Sequence, residues 1–313
     1  MAEGPLPRYP VYIPSKGRAD AGLTANFLVR DRIPFRLVVE PQEVEAYAAR
    51  YGAERVLVLP FSNLGLGSIP ARNWIKDHAI SEGHYRHWQL DDNIRLMRRV
   101  YQGKRIPCHA GVALSACEDF VDRYENVAVA GMNYTMFYYT GGRRKVGPSI
   151  PPYYLNNRVY SCALVRNDLP YRWRGRYNED TDLCLQVLAD GWCTVLFNAF
   201  LIEKVQTMAM KGGNTTALYQ GDGRLKMARS LERVWPGVVE TKRRFQRPQH
   251  VVKDSWRRFD TPLKRREDVD FAALPKVDEY GMRLAQATAE GVRSENLQRL
   301  MAQHAQQIAE GRG

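Results

Sequence analysis

The chain has 313 residues, 44% of them apolar, with 46 basic against 34 acidic side chains and a formal charge of +12. That length and apolar fraction build one large core or two modest ones and exclude disorder throughout, while the charge points to polyanionic or phosphorylated partners. No apolar run approaches the roughly 18 residues of a membrane span, and MAEGPLPRYP lacks the apolar core of a signal peptide, so a soluble cytoplasmic protein without a membrane partner is expected. Cys108, Cys117, Cys162, Cys184 and Cys193 are odd in number and form no C-x-x-C pair. They read as buried thiols, with neither a disulfide framework nor a zinc ribbon.

In chain order, PVYIP, TANFLVRDR, FRLVVE, EVEAYAARYG, RVLVLP, ARNWIKDHAISEG and HWQL alternate short apolar strands with amphipathic helices. This β-α-β-α-β-α-β series predicts a Rossmann-like, mostly parallel α/β sheet that binds ligands at the carboxyl ends of its strands. Those ends are polar: Ser15, Lys16, Gly17 and Arg18 after the first strand, Glu40 after the second, and Asp91, Asp92 and Asn93 after HWQL. Adjacent carboxylates repel unless solvent, basic residues or a divalent ion neutralises them, and hard oxygen ligands suit Mg or Mn. Asp91, Asp92 and Asn93 are therefore candidate metal ligands; the alternative for the same residues is an Asx-type turn. Arg72 and Asn73 sit in the first turns of the ARNW helix, where a guanidinium fork and the helix dipole suit a diphosphate; the alternative for Arg72 is a surface salt bridge.

From residue 110 the pattern becomes mixed: a helix at AGVALSACEDFVDRY, a strand at VAVAGM, an aromatic stretch, and a strand at SCALVR. A helix then begins near Glu179 with the carboxylates Glu179, Asp180 and Asp182 and ends at Gly191. Acids at a helix start serve as caps, or one serves as the base that accepts a hydroxyl proton. After the strand TVLFNAFL, the loop KGGNT offers the backbone amides of Gly212 and Gly213 to a phosphate, or makes an ordinary turn. A basic helix through Leu231 and Trp235 leads to an Arg/Lys-rich segment and a polar helix of roughly 278 to 310. The expected division is 1–240 and 241–313, the second part a helical basic extension. Basic clusters at Arg98 and Arg99, at Arg143, Arg144 and Lys145, and at Arg243, Arg244, Arg257 and Arg258 are candidate contacts to the DNA backbone. Phe245, Trp256 and Phe259 interleave the last group, and a solvated basic surface is the alternative.

The ordered strings YIPSKGRAD, ARNW, WQLDDN, NEDTDLCLQ and KGGNT resemble the TET-associated glycosyltransferase family of bacteriophages and some eukaryotes, over roughly residues 8 to 220. The resemblance implies a GT-A fold and transfer of a sugar from a nucleotide donor, UDP-linked, to the hydroxymethyl group of a pyrimidine, 5-hydroxymethylcytosine first, in double-stranded DNA. If the chain is phage-encoded, its place is the host cytoplasm. It further implies that Pro14, Ser15, Lys16, Arg18, Arg72, Asn73, Asp91 and Asp92 line the donor pocket, with Glu40 at the uracil or ribose edge. A divalent ion, Mn or Mg, would lie at the acidic triplet, whose third position departs from the usual D-x-D because it is Asn93. In an inverting enzyme Asp180, beside Glu179, is the base; a retaining enzyme needs none. Transfer to a protein or polysaccharide, and a non-catalytic DNA-binding module, are the competing readings.

Overall fold

The computed structural model describes residues 4–101, 104–138, 150–205, 223–244 and 247–274. The predicted alternation is present. β1 (Val11–Pro14), β2 (Arg36–Val39), β3 (Val56–Val58) and β4 (Arg86–Leu90) are linked by α1 (Leu23–Arg30), α2 (Val44–Tyr51) and α3 (Ile69–Ser81). The chain builds outward from β1 through β2 to β3, and α3 then carries it back across the sheet to set β4 on the other side of β1, all four strands parallel. Loops leaving the carboxyl ends of β1 and β4 diverge at this reversal of strand order, which is where open α/β sheets form their crevice.

The second half is mixed. β5 (Ile94–Tyr101) and β6 (Lys104–Cys108) form an edge hairpin, followed by α4 (Ala110–Val121), β7 (Val127–Tyr134), β8 (Tyr153–Leu155), β9 (Cys162–Arg166), α5 (Glu179–Ala189) and β10 (Cys193–Lys204). The strand order is β3-β2-β1-β4-β9-β7-β10-β5-β6, with β8 paired to β10. β9 runs antiparallel to both β4 and β7, and β10 runs parallel to β7. Two consequences of register matter. Leu90 pairs with Cys162, which brings Ser161 beside Asp91, and Lys204 pairs with Ile94, which brings the end of β10 beside the acidic triplet. On the other side of β9, Gly131 of β7 comes so close that a Cβ there would collide with the Cys162 carbonyl oxygen.

The central strands β4, β7, β9 and β10 are buried on both faces, as expected where helices cover a sheet. Trp88, Leu90, Phe120, Tyr153, Phe197 and Phe200 are among the side chains of the main core. A fully buried carboxylate lies against this core. Glu118 of α4 accepts from the backbone amides of Arg8 (2.8 Å) and Tyr9 (3.3 Å) and from Trp88 Nε1 (2.8 Å), tying the entry into β1 to β4.

The C-terminal part begins with a helix and a hairpin. After α6 (Gly223–Val234), residues Val239–Arg244 (β11) and Arg247–Val252 (β12) form an antiparallel hairpin, so position 240 lies inside a strand and the basic segment opens as a hairpin. Its β-branched Val239, Thr241, Val251 and Val252 favour strands, and Val238 and Val239 are buried in a cluster with Leu185 and Leu231. Residues 260–271 return to the main sheet: Glu125 N donates to the Lys264 carbonyl (2.8 Å) and Phe271 packs on Tyr124. The helix expected over 278–310 lies outside the described residues. No helix among them is long and apolar enough to cross a membrane, and all five cysteines are free, four of them buried.

Removing the Glu118 carboxylate strands three donors at once, the Trp88 indole among them fully buried. Glu118→Ala is expected to cost about 3 kcal/mol in denaturant unfolding, and a loss below about 1 kcal/mol would show that the junction is not held this way.

Candidate active site

The crevice between β1 and β4 is a cleft of about 310 Å³ walled by Ser15, Arg18, Arg72, Asp91, Asp180 and Lys204. Thr24, fully buried, fixes the acidic turn. Its amide donates to the Asp92 carbonyl (3.2 Å), its hydroxyl donates to the Asp91 carbonyl, and that hydroxyl accepts from Ile94 N (3.0 Å). With its backbone set, Asp92 turns toward β1: Oδ2 accepts from Ser15 Oγ (2.7 Å) and Oδ1 forms a very short ion pair with Arg18. Burial outweighs these contacts and keeps the Asp92 carboxyl above the usual range. Further along the same edge, Lys16 Nζ bridges Glu40 Oε2 (2.7 Å) and Asn63 Oδ1 (2.8 Å). Burial opposes the Glu40 charge, but Lys16, Gln42 and the Asn63 amide prevail and hold its carboxyl low.

Asp91 turns the other way. Its Oδ1 accepts from Arg72 Nη2 (2.8 Å), and its Oδ2 accepts from Lys204 Nζ (2.7 Å) and Ser161 Oγ (2.7 Å). Burial alone would raise this carboxyl, but Lys204 and Arg72 force it far below the usual carboxylate range. Arg72 is only 3% exposed. Burial opposes its charge, yet Asp180, Asp91 and Glu179 together raise its pKa. A buried relay aims it: Arg72 Nη1 donates to Gln89 Oε1 (3.3 Å), Gln89 Nε2 donates to His87 Nε2 (2.9 Å), and His87 Nδ1–H donates to Asn167 Oδ1 (2.6 Å). Burial drives the His87 pKa down to about 3, so this imidazole is a neutral spacer. On the far side, Tyr134 OH and Ser161 Oγ share a hydrogen bond (2.7 Å), and Ser161 adopts φ 54°, a costly conformation for a non-glycine residue.

The second acidic pair enters from the start of α5. Glu179 accepts from Ser68 Oγ (2.9 Å), whereas Asp180 meets Arg72 Nη2 only at 3.9 Å. Burial, with Glu179 and Asp91 close by, pushes the Asp180 carboxyl up to about 7 even though Arg72 pulls it down. A carboxyl raised from its usual range toward neutral pH is matched to accept a hydroxyl proton. Asp182, one helical step on, is a structural residue: it takes Arg174 bidentately (2.8 and 3.1 Å), Gln186 (2.8 Å) and Trp235 Nε1 (2.7 Å), binding α5 to α6.

Most of the sequence-predicted donor residues converge: Pro14, Ser15, Lys16, Arg18, Glu40, Arg72, Asp91, Asp92 and Asn93 line one cleft with Glu179 and Asp180. Asn73 is a correction. Successive residues on a helix point about 100° apart, and with Arg72 facing the cleft, Asn73 faces the loop before α5, where its side chain pairs with both the amide and the carbonyl of Trp173 (3.0 and 2.8 Å). Gly212, Gly213, Arg143, Arg144 and Lys145 lie outside the described residues, as does the Arg244 side chain. Arg98 is engaged by Glu203 (2.7 Å) and Arg99 packs over the Tyr101 ring, while Arg243, Arg257 and Arg258 are exposed. Thr24, Ser161, Tyr134 and Lys204 belong to the site without having been singled out in the sequence.

The residues at the triplet do not fit a preformed cage for Mn or Mg. All four carboxylate oxygens of Asp91 and Asp92 already accept from a cation or a hydroxyl, and three of them face a cation. Asn93 Oδ1 is buried without a hydrogen-bond partner among the described residues, a single neutral oxygen where such ions take about six. No group of three or more His, Cys, Asp or Glu among the described residues has the arrangement to hold a metal.

A mixed α/β sheet, a cleft at its switch point, fixed cations and a partly buried aspartate whose carboxyl is raised toward neutral pH are gathered in one place. A family model described as TET-Associated Glycosyltransferase matches residues 9–213. The chain belongs to that family and is a glycosyltransferase. No curated protein matches it.

A carboxyl whose pKa is raised on folding binds its proton more tightly in the folded state, so its contribution to stability declines as pH rises from about 4 to about 7. In thermal or denaturant unfolding, the stability gain of Asp180→Asn over the unmodified protein should therefore grow by about 2 kcal/mol between pH 5 and pH 8. Parallel pH profiles would contradict the burial of an ionisable Asp180.

Proposed function

We propose that this chain is a GT-A enzyme that transfers a sugar from a nucleoside diphosphate donor, UDP-linked, to the hydroxymethyl group of 5-hydroxymethylpyrimidine in DNA, with 5-hydroxymethylcytosine the first candidate. The observation that carries the reading is the pairing, in one cleft, of Asp180 at a pKa near 7 with Arg72, which lies 3.9 Å away and is buried. An acceptor hydroxyl becomes nucleophilic as its proton passes to Asp180. Its oxygen then bonds to the sugar carbon while the bond from that carbon to the phosphate oxygen breaks, and the diphosphate leaves with the electron pair. Arg72, fixed by Asp91 and Gln89, meets that developing charge without having to reorient.

The remaining parts of the cleft suit the rest of the donor. Lys16, Glu40 and Asn63 form a polar edge at the ends of β1 and β2, fitted to a base or ribose. Tyr134 and Tyr160, stacked with ring centroids 6.1 Å apart, supply an aromatic wall for a sugar or an acceptor base. DNA as the acceptor polymer is supported by the +12 charge and by exposed Lys104, Arg105, Arg243, Arg257 and Arg258, and the family's name associates it with TET.

The test is mass analysis of nucleosides released from hydroxymethylated DNA after incubation with the protein and a panel of nucleotide sugars. A hexose-sized mass gain on the hydroxymethylated nucleoside, absent with unmodified DNA, is expected. Asp180→Asn should reduce it by about 100-fold or more. A gain on protein or polysaccharide instead would overturn the acceptor assignment. Binding to duplex DNA should weaken steeply with salt, and replacing Arg243, Arg257 and Arg258 together by Ala should flatten the slope of log K against log salt by about three. An unchanged slope would remove these residues from the DNA surface.

A further inference from the structure

Lys204 closes β10, and two features of the fold aim it. The ladder to β5 is regular from Phe200 to Glu203 and then shifts, so that Glu203 faces Leu96 but Lys204 faces Ile94. Such a bulge re-aims the side chain that follows it. Here it divides neighbours: Glu203 pairs with Arg98 on the hairpin (2.7 Å), whereas Lys204 enters the cleft to reach Asp91 and Ser161, each at 2.7 Å. Its side chain is 12% exposed, and its ammonium lies 5.8 Å from the Tyr134 ring centroid.

An ammonium carries three N–H donors. Asp91 and Ser161 take two; no described residue takes the third, and Lys204 lines the cleft that holds Arg18, Arg72 and Asp180. Arg72 approaches the same Asp91 carboxylate through its other oxygen. Two fixed cations thus flank one carboxylate at the switch point of the sheet. There the sequence suggested a divalent ion, but the carboxylate oxygens are already engaged. A site of this kind presents positive charge that is oriented before the anion arrives, which is the condition for strong stabilisation of a leaving group.

Building on the donor reading above, we propose that Lys204 is the resident counter-cation of this enzyme: with Arg72 it holds the donor's diphosphate, and nucleoside diphosphate binding requires no divalent metal. As the bond between sugar carbon and phosphate oxygen breaks, both electrons go to that oxygen. Lys204 and Arg72 hydrogen-bond to the departing phosphate, keep their own protons, and leave the acceptor's proton on Asp180.

The experiment is calorimetric titration of uridine, guanosine, adenosine and cytidine diphosphates into the full chain, first with chelator and then with excess manganese. At least one diphosphate should bind in chelator, manganese should change that affinity by less than about threefold, Lys204→Gln should weaken it by about 30-fold, and Lys204→Arg should stay within about fivefold. Tightening of the unmodified protein by tenfold or more with manganese, no binding of any diphosphate in chelator, or wild-type binding by Lys204→Gln would each overturn the proposal. The chelator comparison decides the matter even if Lys204→Gln fails to fold. Lys204-dependent, metal-independent binding without sugar transfer to DNA would leave this proposal standing and discard the acceptor assignment.

Discussion

Two adjacent carboxylates at the end of β4, drawn partly out of water, are the constraint around which this cleft is built. Ionised groups leave water only when opposite charges and hydrogen bonds replace their hydration, and removing one partner of such a buried pair typically costs about 3–5 kcal/mol. The chain meets the requirement asymmetrically. Asp92 is neutralised from β1 by Ser15 and Arg18, and Asp91 from α3 and β10 by Arg72 and Lys204, with Ser161 between. Strands and a helix remote in sequence are thereby tied to one turn. The charges that hold the turn are also the charges that face the cleft.

Precision comes from the parts behind those charges. Thr24 fixes the backbone of the triplet, and the Gln89–His87–Asn167 relay fixes the plane of Arg72. α3 acts on two sides. Its Arg72 reaches into the cleft, while Asn73 and Lys76 grip the 169–173 loop, with Lys76 Nζ donating to the Tyr171 carbonyl at 2.8 Å. That loop leads into α5, so one helix positions both the guanidinium and the carboxylate it faces. The residue before α5, Asn178, is in the left-handed region at φ 57°, as is Ser161 at the other wall. Strain of this kind persists where surrounding contacts over-determine the backbone, which is common at functional sites.

Periodicity made the parallel half legible. β1 to β4 with α1 to α3 follow from alternating apolar strands and amphipathic helices, and polar residues at the strand ends then identify Ser15, Lys16, Arg18, Glu40, Asp91 and Asp92. Arg72 and Asp180 were legible because each stands in the first turn of a helix with a recognisable start. Lys204 was not, because it is one basic residue at the end of an apolar strand and owes its place to a shifted register. Ser161 and Thr24 depend on strand and helix neighbours more than 60 residues away in sequence. Asn73 was misread because adjacency in sequence is divergence on a helix. The boundary expected at residue 240 rested on charge, which marks a change in surface, whereas Val238, Val239 and Leu263 carry the packing that joins this segment to the rest.

The account stands on the fixed cations around Asp91 and Asp92 being the seat of the donor's diphosphate. A crystal structure with a nucleoside diphosphate sugar tests this most directly. The diphosphate should lie between the carboxyl ends of β1 and β4, within hydrogen-bond distance of Arg72 and Lys204, with the sugar carbon facing Asp180. A donor bound elsewhere, for example along the β11–β12 hairpin, or seated in the cleft with its diphosphate beyond hydrogen-bond reach of Arg72 and Lys204, would contradict it.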